Sequence, residues 1–182
     1  MERWGTDEQH PALSRGTLFH LVMEAHYGRI RAFQQEHGLR YYQVISEEEI
    51  LAALYSATSS LLYEEGTGNQ TDEQALVEWI YMGYVQCYEL DPEWEIVAIE
   101  YPLDDLLLHL DGTPSRFRLA GTADLIIRDH SAMGGLWLVD HKTCKDLPKQ
   151  KDFDLEDQTG VYTLLLRRGG WGLPGAVYNH CR

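Results

Sequence analysis

The sequence predicts an α/β fold: a small central sheet in the second half of the chain, flanked by helices, with a helical wing at the N-terminus. Three observations carry this. Apolar residues recur at helical spacing up to about residue 90. Asp91-Pro92 then ends the pattern, because proline pushes the residue before it out of the helical region. Beyond it, apolar residues alternate or run in short blocks between glycine-containing turns, which is strand patterning.

Residues 1–13 read as a lead-in. A first helix starts with Ser14 as N-cap, carries Leu18, Leu21, Val22, Ala25 and Ile30, and ends near His37-Gly38. Ser46 with Glu47, Glu48 and Glu49 is a capping-box start for a second helix bearing Ile50, Leu51, Leu54, Leu61 and Leu62. After a loop from Gly66 to Asn69, Thr71 opens a third helix reaching about Leu90, with Trp79, Tyr81, Tyr84 and Tyr88 as mostly core material. Trp94 to Tyr101, Arg116 to Arg128 and Leu136 to Lys142 then read as three antiparallel strands, separated at Asp111-Gly112 and Gly134-Gly135 as in a meander. Leu155 to Arg168 reads as a helix and Gly175 to Cys181 as a last strand. With 182 residues and no internal repeat, one domain over 1–182 is expected, 1–90 mainly helical and 91–182 bearing the sheet.

Composition narrows the class. No apolar run approaches the roughly 18 residues needed to span a bilayer, and the N-terminus is polar, so a cytoplasmic protein without a membrane partner is expected. Cys87, Cys144 and Cys181 form no C-x-x-C pair, which argues against a disulfide framework or a zinc ribbon. A net charge of −14 argues against unspecific nucleic-acid binding, which relies on Lys and Arg. Divalent cations can cancel charge at a site, and basic residues do cluster at Lys142, Lys145, Lys149 and Lys151, and at Arg167 and Arg168.

The chemistry concentrates where apolar runs meet charges. Leu136-Trp137-Leu138-Val139 leads straight into Asp140-His141-Lys142. Side chains two apart on a strand share a face, so Asp140 and Lys142 stand together and His141 points away. Asp124 lies just before the apolar run Leu125-Ile126-Ile127, and hairpin pairing across Gly134-Gly135 brings it to Asp140. Two adjacent carboxylates repel, and a divalent cation removes that penalty. An ammonium beside such a cation suits phosphodiester hydrolysis. Taken alone, D-x-K also describes a solvated ion pair at a strand edge. Glu100, ending the run Ile96 to Ile99, could approach the same place, and His26 is a decoy for His20.

Gly121-Thr122-Ala123-Asp124 followed by Val139-Asp140-His141-Lys142-Thr143 resembles the G-x-x-D and D-x-K motifs of the PD-(D/E)XK nuclease superfamily. Gly16 to His20 resembles the G-x-x-x-H motif of its RecB-type branch, and Gln158 to Tyr162 the Q-x-x-x-Y motif. The four motifs come in the family's order over residues 16 to 162. The resemblance implies a restriction-endonuclease-like core with a mixed sheet, and Mg²⁺- or Mn²⁺-dependent hydrolysis of DNA, exonucleolytic in the RecB-type branch, serving recombination, repair or phage replication. It implies metal ligation by His20, Asp124, Asp140 and the backbone carbonyl of His141. Lys142 would position the attacking water, with Gln158 and Tyr162 contacting DNA or supporting the site.

Departures from the family are informative. Some relatives hold an iron–sulfur cluster with a cysteine before the His motif; none precedes His20 here, so no cluster is expected. No G-x-x-x-x-G-K-[ST] occurs, so ATP-driven unwinding would need a helicase or recombination partner. The chain stops at Arg182, where relatives often continue, so a shortened C-terminus is expected. The rival reading is a non-catalytic nucleic-acid-binding or assembly subunit keeping the fold; a hydrolase of small phosphate esters is a third.

Overall fold

The computed structural model describes residues 11–38, 70–87, 93–109, 111–132, 134–144 and 157–181. Among them the elements follow in the order α1 (Pro11–His37), α2 (Gln70–Cys87), β1 (Trp94–Leu108), β2 (Pro114–Asp129), β3 (Gly135–Thr143), α3 (Asp157–Arg168) and β4 (Gly175–Cys181). The helix expected from Ser46, the loop at Gly66 to Asn69 and Tyr88 lie outside the described residues.

The strands form one sheet in the order β1-β2-β3-β4. The first two pairings are antiparallel, and β3 pairs with β4 in parallel. A parallel pair needs a crossover, which α3 supplies. The result is the mixed, helix-flanked α/β sheet of a restriction-endonuclease-like core.

Each sheet face has its own core. One face packs on α1 and α2 through Phe19, Val22, Val77, Tyr81, Leu125 and Ile127, among others. The other packs on α3 through Leu165 and Leu166, which meet Ala123, Ile126 and Leu138. Fully burying a side chain such as Phe19 or Leu125 stabilises by about 1.5–3 kcal/mol, and both are 0 % exposed. Trp79, expected in the core, is instead 69 % exposed. On α2 the buried stripe is Val77, Ile80, Tyr81 and Tyr84. Trp79, about 200° around the helix from Tyr81, faces away from it.

α1 starts three residues before the expected Ser14 cap, at Pro11, whose fixed φ and missing N–H suit a first helical position. It ends at Gly38, where φ is +81° and the amide donates to the Gln34 carbonyl at 2.8 Å. The Gln34 side chain then reaches edge strand β1. Its Nε2 donates to the Trp94 carbonyl at 2.7 Å and its Oε1 accepts from the Ile96 amide at 2.9 Å.

β1 is longer than the sequence reading, running on through Pro102 to Leu108. Proline is tolerated there because β1 is an edge strand. β2 pairs with β3 only from Leu125 to Asp129, so the far half of the β1–β2 hairpin is a two-stranded ribbon. Arg168, at the end of α3, holds it: Nη1 donates to the Leu106 carbonyl at 2.8 Å, and Nη2 lies 3.0 Å from Asp105. Among the described residues, no helix is long and apolar enough to cross a membrane.

Candidate active site

The site forms where the sheet's regular alternation slips. In β2, Leu125 packs in the α1–α2 core and Ala123 in the α3 core, although strict alternation would give them one face. The same change separates Ile99 from Tyr101 in β1, whose partners are Leu125 and Ala123. The residues at the slip are Asp124 and Glu100. Glu100 holds φ at +45°, a sparsely populated region for a residue with a side chain.

His20 meets both carboxylates from α1. Its Nδ1 lies 3.5 Å from Asp124 Oδ1 and 3.8 Å from Glu100 Oε1. The three residues offer ligand atoms all within 4.8 Å of one another. Glu100 beside it raises the imidazole above its usual pKa; burial opposes this, and Asp124 adds to it. Burial pushes Asp124 up to about 6, against the pull of His20 and of the His141 amide, which donates to Asp124 Oδ2 at 2.8 Å. Asp140 and Glu100 add like charge and raise it further.

Asp140 and Lys142 share the α3-facing side of β3, as alternation predicts. Asp140 is 2 % exposed, and Lys142 Nζ lies 3.2 Å from its Oδ1 and 3.0 Å from its Oδ2. Lys142 also donates to Gln158 Oε1 at 3.0 Å, and Gln158 Nε2 donates to the Tyr162 hydroxyl at 3.0 Å. Gln158 and Tyr162, four apart on α3, therefore build a chain that ends on the lysine. Tyr162 in turn lies close against Gly121: a Cβ there would meet its Cε1 at 2.5 Å. Both glycine and tyrosine of the two motifs thus have a packing reason.

The side chain of His141 points the other way. It is 1 % exposed, its ring stacks on Tyr27 with centroids 5.5 Å apart, and its Nδ1 pairs with Asn179 Nδ2 at 3.0 Å. Burial pulls its pKa down to about 3, so the imidazole is neutral. His26 is also a core residue, bonded to the Tyr81 hydroxyl at 3.0 Å.

The structure therefore brings His20, Asp124, Asp140, Lys142, Gln158 and Tyr162 together. Asp140 lies outside the cluster of His20, Glu100 and Asp124 and turns to Lys142 instead. Glu100, on sequence a possible neighbour, joins His20 and Asp124 there. The signal was a carboxylate closing an apolar run directly across from Asp124. Asn179 was missed, since nothing marks a strand asparagine as the partner of a buried histidine.

One imidazole nitrogen and two carboxylate oxygens suit a divalent cation with mixed oxygen and nitrogen ligands. The raised pKa of Asp124 points the same way, because a cation would relieve that desolvated, crowded carboxylate. Comparison with curated proteins finds no match. The family model of the PD-(D/E)XK nuclease superfamily matches residues 2–181, nearly the whole chain. On that match the chain belongs to the PD-(D/E)XK nuclease superfamily.

Proposed function

We propose that the chain is a Mg²⁺- or Mn²⁺-dependent deoxyribonuclease of the RecB-type branch, acting as an exonuclease in recombination, repair or phage DNA metabolism, with unwinding supplied by a helicase partner. The observation that carries this reading is the cluster of His20, Glu100 and Asp124 beside a lysine held in place by Asp140 and Gln158. A bound divalent cation would supply electrostatic stabilisation to a scissile phosphate.

The chain's own residues do the rest. His20, Glu100 and Asp124 would hold the cation, with Asp140 and the His141 carbonyl completing its surroundings. Lys142 keeps its ammonium directed by Asp140 and Gln158, which suits it to orient a water toward phosphorus and to neutralise charge developing on a phosphoryl oxygen. Gln158 and Tyr162 act first on the lysine, and their exposed edges can touch the strand being cut. Binding in this way localises positive charge on an otherwise acidic chain and gives an affinity that falls with salt.

The test is cleavage of end-labelled single- and double-stranded DNA with Mg²⁺, Mn²⁺ or EDTA, beside Lys142→Gln. Metal-dependent cleavage that the variant loses is the expected result. A folded protein that cleaves with neither metal would instead be the non-catalytic nucleic-acid-binding or assembly subunit, the reading that the charge of −14 favours.

A further inference from the structure

Alongside the lysine, between α3 and edge strand β4, lies a pocket of about 410 Å³. Thr159, Gly160, Thr163, Arg167 and Tyr178 line it. None of them has a part in the metal cluster or in the chain that holds Lys142. We propose that this pocket is a nucleotide subsite, receiving the nucleotide next to the scissile phosphate; the proposal rests on the nuclease reading above.

Two features point to a ligand. Gly160 sits inside the helix, where glycine is unfavourable relative to alanine. Among the described residues a Cβ there would meet nothing within 4 Å, so the helix backbone is open to close approach of a ligand. Thr159, Thr163 and Arg167 recur every four residues and so share one face of α3, at steps of about 6 Å.

The chemistry of that face fits a nucleotide. The Thr163 hydroxyl and the Arg167 guanidinium suit donation to phosphate and sugar oxygens. Arg167 is fixed for this by donating Nε and Nη2 to the Leu173 carbonyl at 3.1 and 2.9 Å; its Nη1 makes no hydrogen bond among the described residues. Tyr178 provides a ring on which a base can stack. Position fits as well. Tyr178 is the register partner of Asp140, and Thr159 follows Gln158, which accepts from Lys142. A strand lying across Lys142 reaches this pocket at its next nucleotide.

The test fills the pocket from Gly160. Gly160→Ala and Gly160→Leu favour the helix, and thermal melting checks folding; Thr163→Leu fills the pocket from a second position. Binding of a fluorescein-labelled single-stranded oligodeoxynucleotide is read by anisotropy in EDTA, and cleavage of the same oligonucleotide in Mn²⁺. The expected result is a loss that grows with the side chain. It should reach about tenfold or more in Kd and KM for Gly160→Leu, comparable to losing one stacked base, with kcat changed far less. Binding and KM like wild type in both leucine variants, while wild type cleaves, overturn the subsite and leave the nuclease standing. If wild type binds but never cleaves, and the leucine variants weaken binding, the nuclease reading falls and the pocket stands as a nucleic-acid site. If wild type neither binds nor cleaves, both fall.

Discussion

Gly121→Ala tests how the glycine of one motif reaches the lysine of another. The backbone at Gly121 lies outside the left-handed region, so alanine is permitted there. The obstacle is Tyr162, whose Cε1 would lie 2.5 Å from the new Cβ against the 3.4 Å where ordinary contact begins. The ring must therefore retreat by about 0.9 Å. Its hydroxyl holds Gln158 at 3.0 Å, and Gln158 holds Lys142 at 3.0 Å, so the retreat breaks the chain or drags the lysine off line. Overpacking costs about 1–3 kcal/mol in stability. Losing a hydrogen bond to a charged group costs about 1.5–3 kcal/mol, or roughly ten- to a hundredfold in rate if that bond positions the reacting group. Single-turnover cleavage and urea denaturation should be measured for Gly121→Ala, Tyr162→Ala and the double variant. Once the ring is gone the three atoms nearest the new Cβ are gone with it, so the alanine should cost little in the Tyr162→Ala background. Equal cost in both backgrounds, or wild-type behaviour of Gly121→Ala alone, would refute this account.

Three further outcomes follow from the same geometry. Glu100→Gln should lower the pKa of His20, because the Glu100 carboxylate is the largest cause of its elevation; an imidazole NMR titration reads this, and an unmoved pKa contradicts the contact. Mn²⁺ should raise the melting temperature little in mild acid and progressively more as pH climbs through about 6 and past the titration of His20, since the cation competes with protons on both groups. Stabilisation independent of pH would place the metal elsewhere. His26 and His141, pulled down to about 4 and about 3, bind protons more readily unfolded than folded, so they make stability rise with pH up to the ordinary histidine range near 6.5. Asp124, raised to about 6, works the opposite way between about 4 and 6 but is the smaller shift. Acid should therefore destabilise the protein, and His141→Phe, which keeps the ring on Tyr27, should lose less stability on acidification than wild type in parallel melts.

Alternation made much of the site readable before any coordinates. On an undistorted strand it puts Asp140 with Lys142 and turns the His141 side chain away, and β3 is undistorted there. The last strand was legible for the same reason, because Gly175 and Cys181 bound a run that nothing interrupts. Glu100 was harder. A register shift between Ile96 and Ala98 and a positive φ at Glu100 itself take β1 off its period, and neither leaves a mark in composition. β1 also outran its reading, since Pro102 and the acidic pair Asp104-Asp105 resemble a strand end. Arg168 and Arg118 instead pair those acids and let the ribbon continue. Trp79 escapes the core despite its aromaticity because two positions from Tyr81 is the far side of a helix.

The clasp of Gln34 on β1 sets a tolerance for the meeting of His20 and Glu100. His20 rides on α1 and Glu100 on β1, so their separation depends on where the helix sits along its own axis. A slip of one residue is about 1.5 Å of travel, large beside the 3.5 and 3.8 Å that separate His20 from its two carboxylates. Close packing of Phe19, Val22 and Tyr27 resists such sliding, and a polar clasp adds direction to it. Gln34 grips one carbonyl and one amide of a strand whose spacing is fixed, and so gives the helix a single indexed position. A glutamine fourteen residues from the histidine, far from any chemistry, thereby helps set the separation of His20 and Glu100.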